Sequence, residues 1–256
     1  MLDKIWQHGK RQNNKQGSIT YLLNEQLHLS PYDLLEIFEG HNIARKKLRN
    51  ELSLFMAGER DLTKYREAGI NWWDYCGQIL INSYPTYFEK LPALIEQINR
   101  EKRNSKNYVL FLGSTGAETN QAPCLSLIQF QLDDGELVLS AYQRSSDANL
   151  GLPSDIYHLY LIARQIEAPL KSITLNLGNV HIYENNVEKT RELLAGNEAV
   201  RFDLNVWKGA KSQSRSSQLN HFKVTKFCWH EQIKHHKNNA DFGPFWMAFN
   251  QRLIGI

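Results

Sequence analysis

Cys124 is the residue of this 256-residue chain whose type and setting come nearest to a reactive group. It follows Pro123 at the start of a predicted strand, and a cysteine becomes a nucleophile when it ionises. Arg144 and Arg11 would favour the thiolate if the fold brought them near it. The residues alone leave open the commoner role of a lone cysteine, a buried structural one. Just downstream, QRSSDANLGLPSD (143–155) gathers an Arg, several Ser, two Asp, an Asn and a Gly. Polar clusters at strand ends are where sites sit. The plainer alternative is a solvated turn and a helix start, with Asp155 a first-turn carboxylate favoured by the helix dipole. His181 and Tyr183 lie two apart on a predicted strand and so share a face, as a packing pair or as a site. His230, His235 and His236 fit no zinc spacing, and no metal is expected. Lys102, Arg103 and Lys106 read as a solvated helix end. The chain has no Walker loop, GxGxxG or GxSxG.

The elements that would hold these residues follow from hydrophobic period. The stretch up to Gly17 is polar and reads as a loop or mobile arm. Residues 18–29 partly alternate, as a strand does. Over 31–57, Leu34, Leu35, Ile37, Phe38, Leu48, Leu52 and Phe55 keep helical spacing, and Gly58 suits a helix stop. A second amphipathic helix spans 87–102. YVLFLG (108–113) is an apolar strand. CLSLIQFQL (124–132), the turn at 133–135 and ELVLSAYQR (136–144) form a predicted hairpin. A helix over 153–168, with Pro153 in its first turn, a strand over 172–183 and a helix from about Glu184 to Leu194 complete the series. Strands and helices mix without a βαβ rhythm, which argues α+β. GAKSQSRSSQ (209–218) suits a surface loop better than a domain boundary, so 1–256 reads as one domain, with an arm over 1–16 and an extension over about 231–256.

Thirty Lys and Arg against 27 Asp and Glu leave a charge of +3, too balanced for a nucleic-acid polymer as main partner. Hydrophobic residues at 42% suffice for a large core. No apolar run reaches the roughly 18–20 residues that span a bilayer. The N-terminus lacks an apolar h-region, and three cysteines are no disulfide framework. These features predict a cytoplasmic protein with reduced thiols.

Five segments, in order, resemble the thymidylate synthase superfamily: NELSLFMAGERDL (50–62), INWWDYCG (70–77), PCLSLIQF (123–130), YQRSSDANLGLPSD (142–155) and GNVHIYENN (178–186). The likeness covers roughly 17–230. It implies an α+β fold with a mixed sheet flanked by helices, the sheets packed back to back in a homodimer. Cys124 matches the nucleophile that adds to pyrimidine carbon 6, making carbon 5 attack the methylene of 5,10-methylenetetrahydrofolate. Glu51 matches the proton-managing carboxylate and Tyr84 the tyrosine that helps remove the carbon 5 proton. Arg144 and Ser145 match phosphate ligands. Asp147 matches a residue of catalysis and of the folate side, with Trp73 and Gly151 on that side too. His181 and Tyr183 match the pair on the sugar 3′-hydroxyl, and Gln143 falls among the nucleotide contacts.

The departures from the family pattern point to a branch. Thymidylate synthases place Asn where this chain has Asp155. An amide reads uracil, whereas a carboxylate accepts from the cytosine amino group. With Leu125 after the nucleophile, and with INSYP (81–85), this resembles the dCMP or CMP 5-hydroxymethylases, in which water captures the exocyclic methylene. The expected reaction is folate-dependent C5-hydroxymethylation of a cytidine nucleotide. Thymidylate synthesis, uracil hydroxymethylation or C5-methylation on the same scaffold is the alternative, and a non-catalytic nucleotide-binding regulator is the alternative of another class. Lys106 and Asn107 stand where the family has an arginine pair that reaches a partner's phosphate. Arg11, or else Lys15, stands for the N-terminal phosphate ligand. Cys76 stands where the family often has a second Trp, and the chain ends near Leu253 and Ile254.

Overall fold

The computed structural model describes residues 1–14, 17–41, 43–113 and 122–195. Met1–Arg191 form one compact unit and Glu192–Ile256 another. The architecture below is that of the first. Lys15, the stretch 209–218, Cys228, the histidines from 230 to 236 and the Leu253–Ile254 end lie outside the described residues.

In chain order the elements are α1 (Leu2–His8), β1 (Lys10–Asn14), β2 (Gly17–Leu29), α2 (Pro31–Gly40), α3 (Arg45–Met56), α4 (Leu62–Glu67), a 3-10 turn (Asp74–Cys76), α5 (Tyr84–Phe88), α6 (Leu91–Glu101), β3 (Val109–Phe111), β4 (Leu125–Asp133), β5 (Glu136–Gln143), β6 (Ser146–Asp147), α7 (Gly151–Ala163), β7 (Leu170–Tyr183) and a second 3-10 turn (Glu184–Asn186). The strands form one sheet in the order β1-β2-β7-β5-β4-β3, with β6 beside β7. β7 is parallel to β5 and β6 and antiparallel to β2, so the sheet is mixed and the class is α+β.

The β4–β5 hairpin closes through Asp134 and Gly135 at φ 52° and 81°. Both central residues of this turn need positive φ, which Asp and Gly tolerate. The hairpin register pairs Ile128 with Ala141, Phe130 with Leu139 and Leu132 with Leu137. Leu139 and Ala141 in turn face Ile173 and Leu175 of β7. These side chains are buried. Each of the leucine, isoleucine and phenylalanine side chains contributes roughly 2 kcal/mol by leaving water, and Ala141 less. The same row of β5 ends in Gln143, buried and polar, beside Leu177. The core therefore gives way to the site at the C-terminal end of β5. On the other face Val109, Phe111, Leu127 and Tyr142 alternate with the buried positions, and Phe111 and Tyr142 are exposed at 68% and 42%.

α7 crosses from β6 to β7 and packs on α2, α3 and β7. Leu152, Pro153, Ile156, Tyr157, Leu159, Leu161, Ile162 and Ala163 are all buried, as expected of a helix apolar nearly all round. It starts at Gly151, two residues before its expected start. Asp155 therefore sits in the second turn, where the side chain faces inward, and not in the first turn beside the dipole.

Two further expectations are corrected. The polar opening is not a loop: Leu2 and Ile5 of α1 are buried on one helix face, and β1 pairs with β2 as an edge strand. All five β1 residues are polar, so it has no alternation to read. The helix expected over 31–57 is two helices, broken after Gly40. α2 opens on a capping box, with Ser30 and Asp33 each bonding the other's backbone N–H, and Pro31 at N1. After β7, the 3-10 turn precedes a helical stretch from 187. No helix among the described residues is long and apolar enough to cross a membrane.

Candidate active site

The site is built where α3, α5, α7 and the ends of β4, β5, β6 and β7 meet. Cys124 stands just before β4 and is partly buried. Arg144 braces the backbone from Ala122 to Cys124. The Arg144 N–H donates to Cys124 O at 2.9 Å. Its Nε and Nη2 donate to Pro123 O and Ala122 O at 3.1 and 2.8 Å. Two of five guanidinium N–H groups are thus engaged and the rest stay outward. Burial pushes the Cys124 thiol up, more than Arg144 pulls it down, and Asp155 adds to the rise. Arg144 lowers the thiol as expected of a nearby guanidinium, but burial outweighs it, and Arg11 is not among the groups that act on it. Tyr84 heads α5 and accepts from the Leu125 N–H at 3.3 Å, beside the nucleophile. Burial raises the Tyr84 hydroxyl well above its ordinary value, with Asp155 and Cys124 adding.

Three carboxyl groups are linked electrostatically, Glu51 to Asp155 and Asp155 to Asp147, and Asp155 also bears on the thiol. Glu51, on the inner face of α3, is pushed up to about 7 by burial, against the pull of two indole N–H bonds and with a further push from Asp155. Those bonds come from Trp72 and Trp73, both to Oε1. Asp155 is likewise raised to about 7 by burial, with Gln143 opposing and Asp147 adding. Gln143 Nε2 donates to Asp155 Oδ2 at 2.6 Å. The Gln143 Oε1 is buried and, among the described residues, unbonded. Asp147 on β6 accepts from the Asn149 N–H at 3.0 Å and is raised mainly by burial.

β7 brings in the remaining pair. Asp147 lies beside His181 in the β6–β7 register. His181 and Tyr183 meet edge to face at 4.9 Å, and Asn179 holds the His181 Nδ1 at 3.0 Å. Burial raises the Tyr183 hydroxyl, with Asp147 and Cys124 adding to the rise. Ser145 follows Arg144 in the β5–β6 link. A Cβ at Gly151 would stand 3.7 Å from Asp147 Cβ and 4.0 Å from Asp155 Oδ2, ordinary contact. The fold itself therefore does not require glycine at this position.

Two expected residues lie apart. Arg11 pairs with Thr20, and Thr20 with Ile182, so Arg11 projects from the sheet face opposite to His181 and Tyr183. Lys106 is exposed before β3, and its carbonyl accepts from Gln129, about 13 Å along β4 from Leu125 at the strand rise. Two residues absent from the sequence reading belong to the site. Trp72 shares Glu51 with Trp73. His158, on α7, has its Nε2 3.4 Å from Glu51 Oε2 and 2.9 Å from Leu48 O. The signal for Trp72 was the tandem tryptophan itself. For His158 it was the three-residue spacing from Asp155 on one helix.

The donor set fits a folate. Trp72, Tyr75, Ile79 and Ile81 are exposed apolar side chains clustered in one segment ahead of Tyr84. Such a rim suits a flat heterocycle, and Trp73 packs against Phe55, Tyr75 and Tyr84 beneath it. Among the described residues, no group of three His, Cys, Asp or Glu could hold a metal ion.

Residues 1–238 match the sequence model of the thymidylate synthase family. A thymidylate synthase of Staphylococcus haemolyticus (strain JCSC1435) is 30% identical over 134 residues, 50% of this chain and 41% of that protein. A thymidylate synthase of Listeria monocytogenes serovar 1/2a (strain ATCC BAA-679 / EGD-e) is 34% identical over 139 residues, 52% of this chain and 44% of that protein. The chain spans less than half the length of either relative. With the family match running over most of its residues, this chain belongs to the thymidylate synthase family.

Proposed function

We propose that this chain transfers a one-carbon unit to carbon 5 of a pyrimidine nucleoside monophosphate, and that its substrate is a cytidine nucleotide, dCMP or CMP, converted to the 5-hydroxymethyl product. The observation that carries the cytidine reading is the bond from Gln143 Nε2 to Asp155 Oδ2. It fixes one carboxylate oxygen inward and leaves the other as the atom that meets the base. Ionised, that oxygen only accepts, which suits an exocyclic amino group and disfavours a uracil carbonyl.

In this reading Cys124 Sγ adds to carbon 6 and loses its proton, and carbon 5 gains the electron density. Bound 5,10-methylenetetrahydrofolate supplies the carbon as an electrophilic methylene. Trp73, Asp147 and Gly151 would hold it, with the rim of Trp72 and Tyr75. Tyr84 stands beside the nucleophile to help take the carbon 5 proton. Release of tetrahydrofolate from the transferred carbon would leave an exocyclic methylene on the nucleotide, still bonded to Cys124 through carbon 6, and the Cys124–carbon 6 bond breaks as water adds to that methylene. Glu51 manages the protons as water adds there. Arg144 and Ser145 face the phosphate, and His181 with Tyr183 the 3′-hydroxyl. Lys106 belongs to a neighbouring subunit's site, in a homodimer joined through the open sheet face bearing Phe111 and Tyr142. Lys15 is the remaining candidate for the N-terminal phosphate ligand, since Arg11 lies on the sheet face opposite to His181 and Tyr183.

A second reading has its own support. Both relatives are thymidylate synthases, and an Asp155 carboxyl that keeps its proton near pH 7 presents a donor to uracil oxygen 4. Tritium release from carbon-5-tritiated dCMP, CMP and dUMP, with and without methylenetetrahydrofolate, separates the two. Folate-stimulated release from a cytidine nucleotide, with a product heavier by one CH2O unit, is the expected result. A gain of one CH2 unit means a methylase. Release from dUMP alone refutes the cytidine reading, and no release from any of the three moves the function to nucleotide binding without turnover.

A further inference from the structure

Among the described residues, His158 meets Leu48, Glu51 and Phe55, and none of these is expected to meet the base, the phosphate or the sugar. Its side chain is 12% exposed and that of Glu51 4%. Its Nε2 lies 2.9 Å from the carbonyl of Leu48. A carbonyl only accepts, so Nε2 carries the hydrogen and Nδ1 the lone pair. Burial holds the ring neutral, down to about 4, against the upward pull of the Leu48 bond. Leu48 and Glu51 are one turn apart on α3, and Asp155 and His158 are one turn apart on α7. On Glu51, Oε1 takes both indole N–H bonds, from Trp72 and Trp73, which fills its lone pairs. Oε2 is the oxygen beside His158.

We infer that His158 is a positioning residue for Glu51: its Nε2–H bond to Leu48 ties the turn of α3 that carries Glu51 to the turn of α7 that carries Asp155, and it stands over Oε2, the one Glu51 oxygen left to give or take a proton. The inference deepens the one-carbon transfer reading and rests on it for Glu51's task. The other groups that bear on Glu51 are Asp155 from α7 and Tyr65 from α4, whose hydroxyl donates to Glu59 O. Neither reaches Leu48. The geometry therefore gives His158 a task that neither neighbour duplicates.

The first arm of the test needs no activity. Nitrogen-15 NMR of histidine-labelled protein, without ligands, should show His158 neutral with its proton on Nε2 from pH 8 down to about 5. A Nδ1–H ring, or an imidazolium at neutral pH, overturns the inference. The second arm is kinetic, by tritium release from the best nucleotide. His158→Phe keeps the ring volume and removes the N–H. It should lower kcat about tenfold to a hundredfold, with nucleotide KM within about threefold. The inflection of kcat on the acid side should move up by about half a pH unit or more, because Glu51 loses a nearby donor. His158→Gln, whose amide reaches the Nε2 position, should restore kcat to within about threefold of the parent and return the inflection. An unmoved inflection in the Phe variant, or equal losses in Phe and Gln with KM rising in step, refutes the positioning role. If circular dichroism shows that the Phe variant does not fold, His158→Asn takes its place, being one methylene too short to reach Leu48. If the parent releases no tritium from any nucleotide, the functional reading has failed and the NMR arm alone judges His158.

Discussion

Replacing Asp155 by Asn should turn base preference around, and the structure supplies the magnitude. Gln143 Nε2 donates to Oδ2 at 2.6 Å, and the Gln143 side chain is fully buried. The atom facing Gln143 must therefore be an acceptor. In Asp155→Asn the amide oxygen takes that place, and the NH2 is forced toward the base. One acceptor facing the base becomes one donor. A buried polar group facing the wrong partner costs about 1–3 kcal/mol. The exchange removes such a mismatch for uracil and creates one for cytosine. The ratio of kcat/KM for dCMP over dUMP should fall by about 3 kcal/mol, or roughly a hundredfold. Tritium release from each nucleotide, singly and in competition, gives the ratio directly. The double variant Gln143→Leu with Asp155→Asn should show a smaller change, because the amide is then free to turn over. A ratio that does not move in the single variant, or that moves as far in the double, would falsify the argument. pH offers a second axis. Asp155 is raised to about 7, so the parent's dCMP-to-dUMP ratio should climb as the pH rises through 7. The Asn variant, with nothing to titrate there, should be flat.

Glu51 and Asp155 each hold a proton to about 7 when folded, against ordinary values of 4.5 and 3.8. The folded chain thus binds more protons than the unfolded one, and stability falls as pH rises from about 4 through 7, by roughly a few kcal/mol in all. Thermal melts of the unliganded protein should show Tm lower at pH 8 than at pH 5, with Glu51→Gln and Asp155→Asn flattening the slope; a Tm that climbs over that range would contradict the burial argument. Because burial raises the Cys124 thiol, iodoacetamide should label it slowly at neutral pH and faster as pH rises, and nucleotide should protect it. Identical rates with and without dCMP and CMP would count against the nucleophile. Cys124→Ser should abolish tritium release. Phe111→Asp, on the open sheet face, should shift a dimer toward monomer by light scattering at micromolar concentration. A parent that is already monomeric there removes the role given to Lys106.

The sheet was legible where one face is buried and the other is not. The hairpin from 124 to 144 announced itself through alternation and a turn whose two positive-φ residues are Asp134 and Gly135. β1 was not legible, because an edge strand of Lys, Arg, Gln and two Asn has no buried face to mark. α1 was hidden because it anchors through only Leu2 and Ile5. Among site residues, those in the family's motifs could be named from sequence. Their relations could not. Arg11 is the clearest case, since its residue type suits a phosphate but its register turns it to the wrong face. The Cys124 expectation failed for a different reason. The positive charge is present as supposed, yet removal of the thiol from water outweighs it, and burial at that level is a property of the fold and not of any short segment.

The same burial that works against the thiol sorts the carboxyls. Burial raises all three of them, and each has its own hydrogen-bond partners. Asp147 rests on the backbone at the start of α7, accepting from the Asn149 N–H. Asp155 has one oxygen fixed by Gln143. Glu51 has one oxygen filled by two indoles and the other beside a neutral histidine. Glu51 and Asp155 therefore each have one oxygen held by a neighbour's N–H and a second that is not held in that way. Two of the three hold protons to about pH 7, where a general acid or base does most for a reaction at that pH. A site built only to bind an anionic nucleotide would gain nothing from three buried acids and would be hindered by their charge. One that must move protons on and off a pyrimidine ring needs groups of this kind, held near neutrality and facing the nucleophile. That is the physical case for turnover over binding alone, and removing the proton-exchanging oxygen by Glu51→Gln tests it: nucleotide should bind within about threefold as tightly, while tritium release falls by about a hundredfold or more.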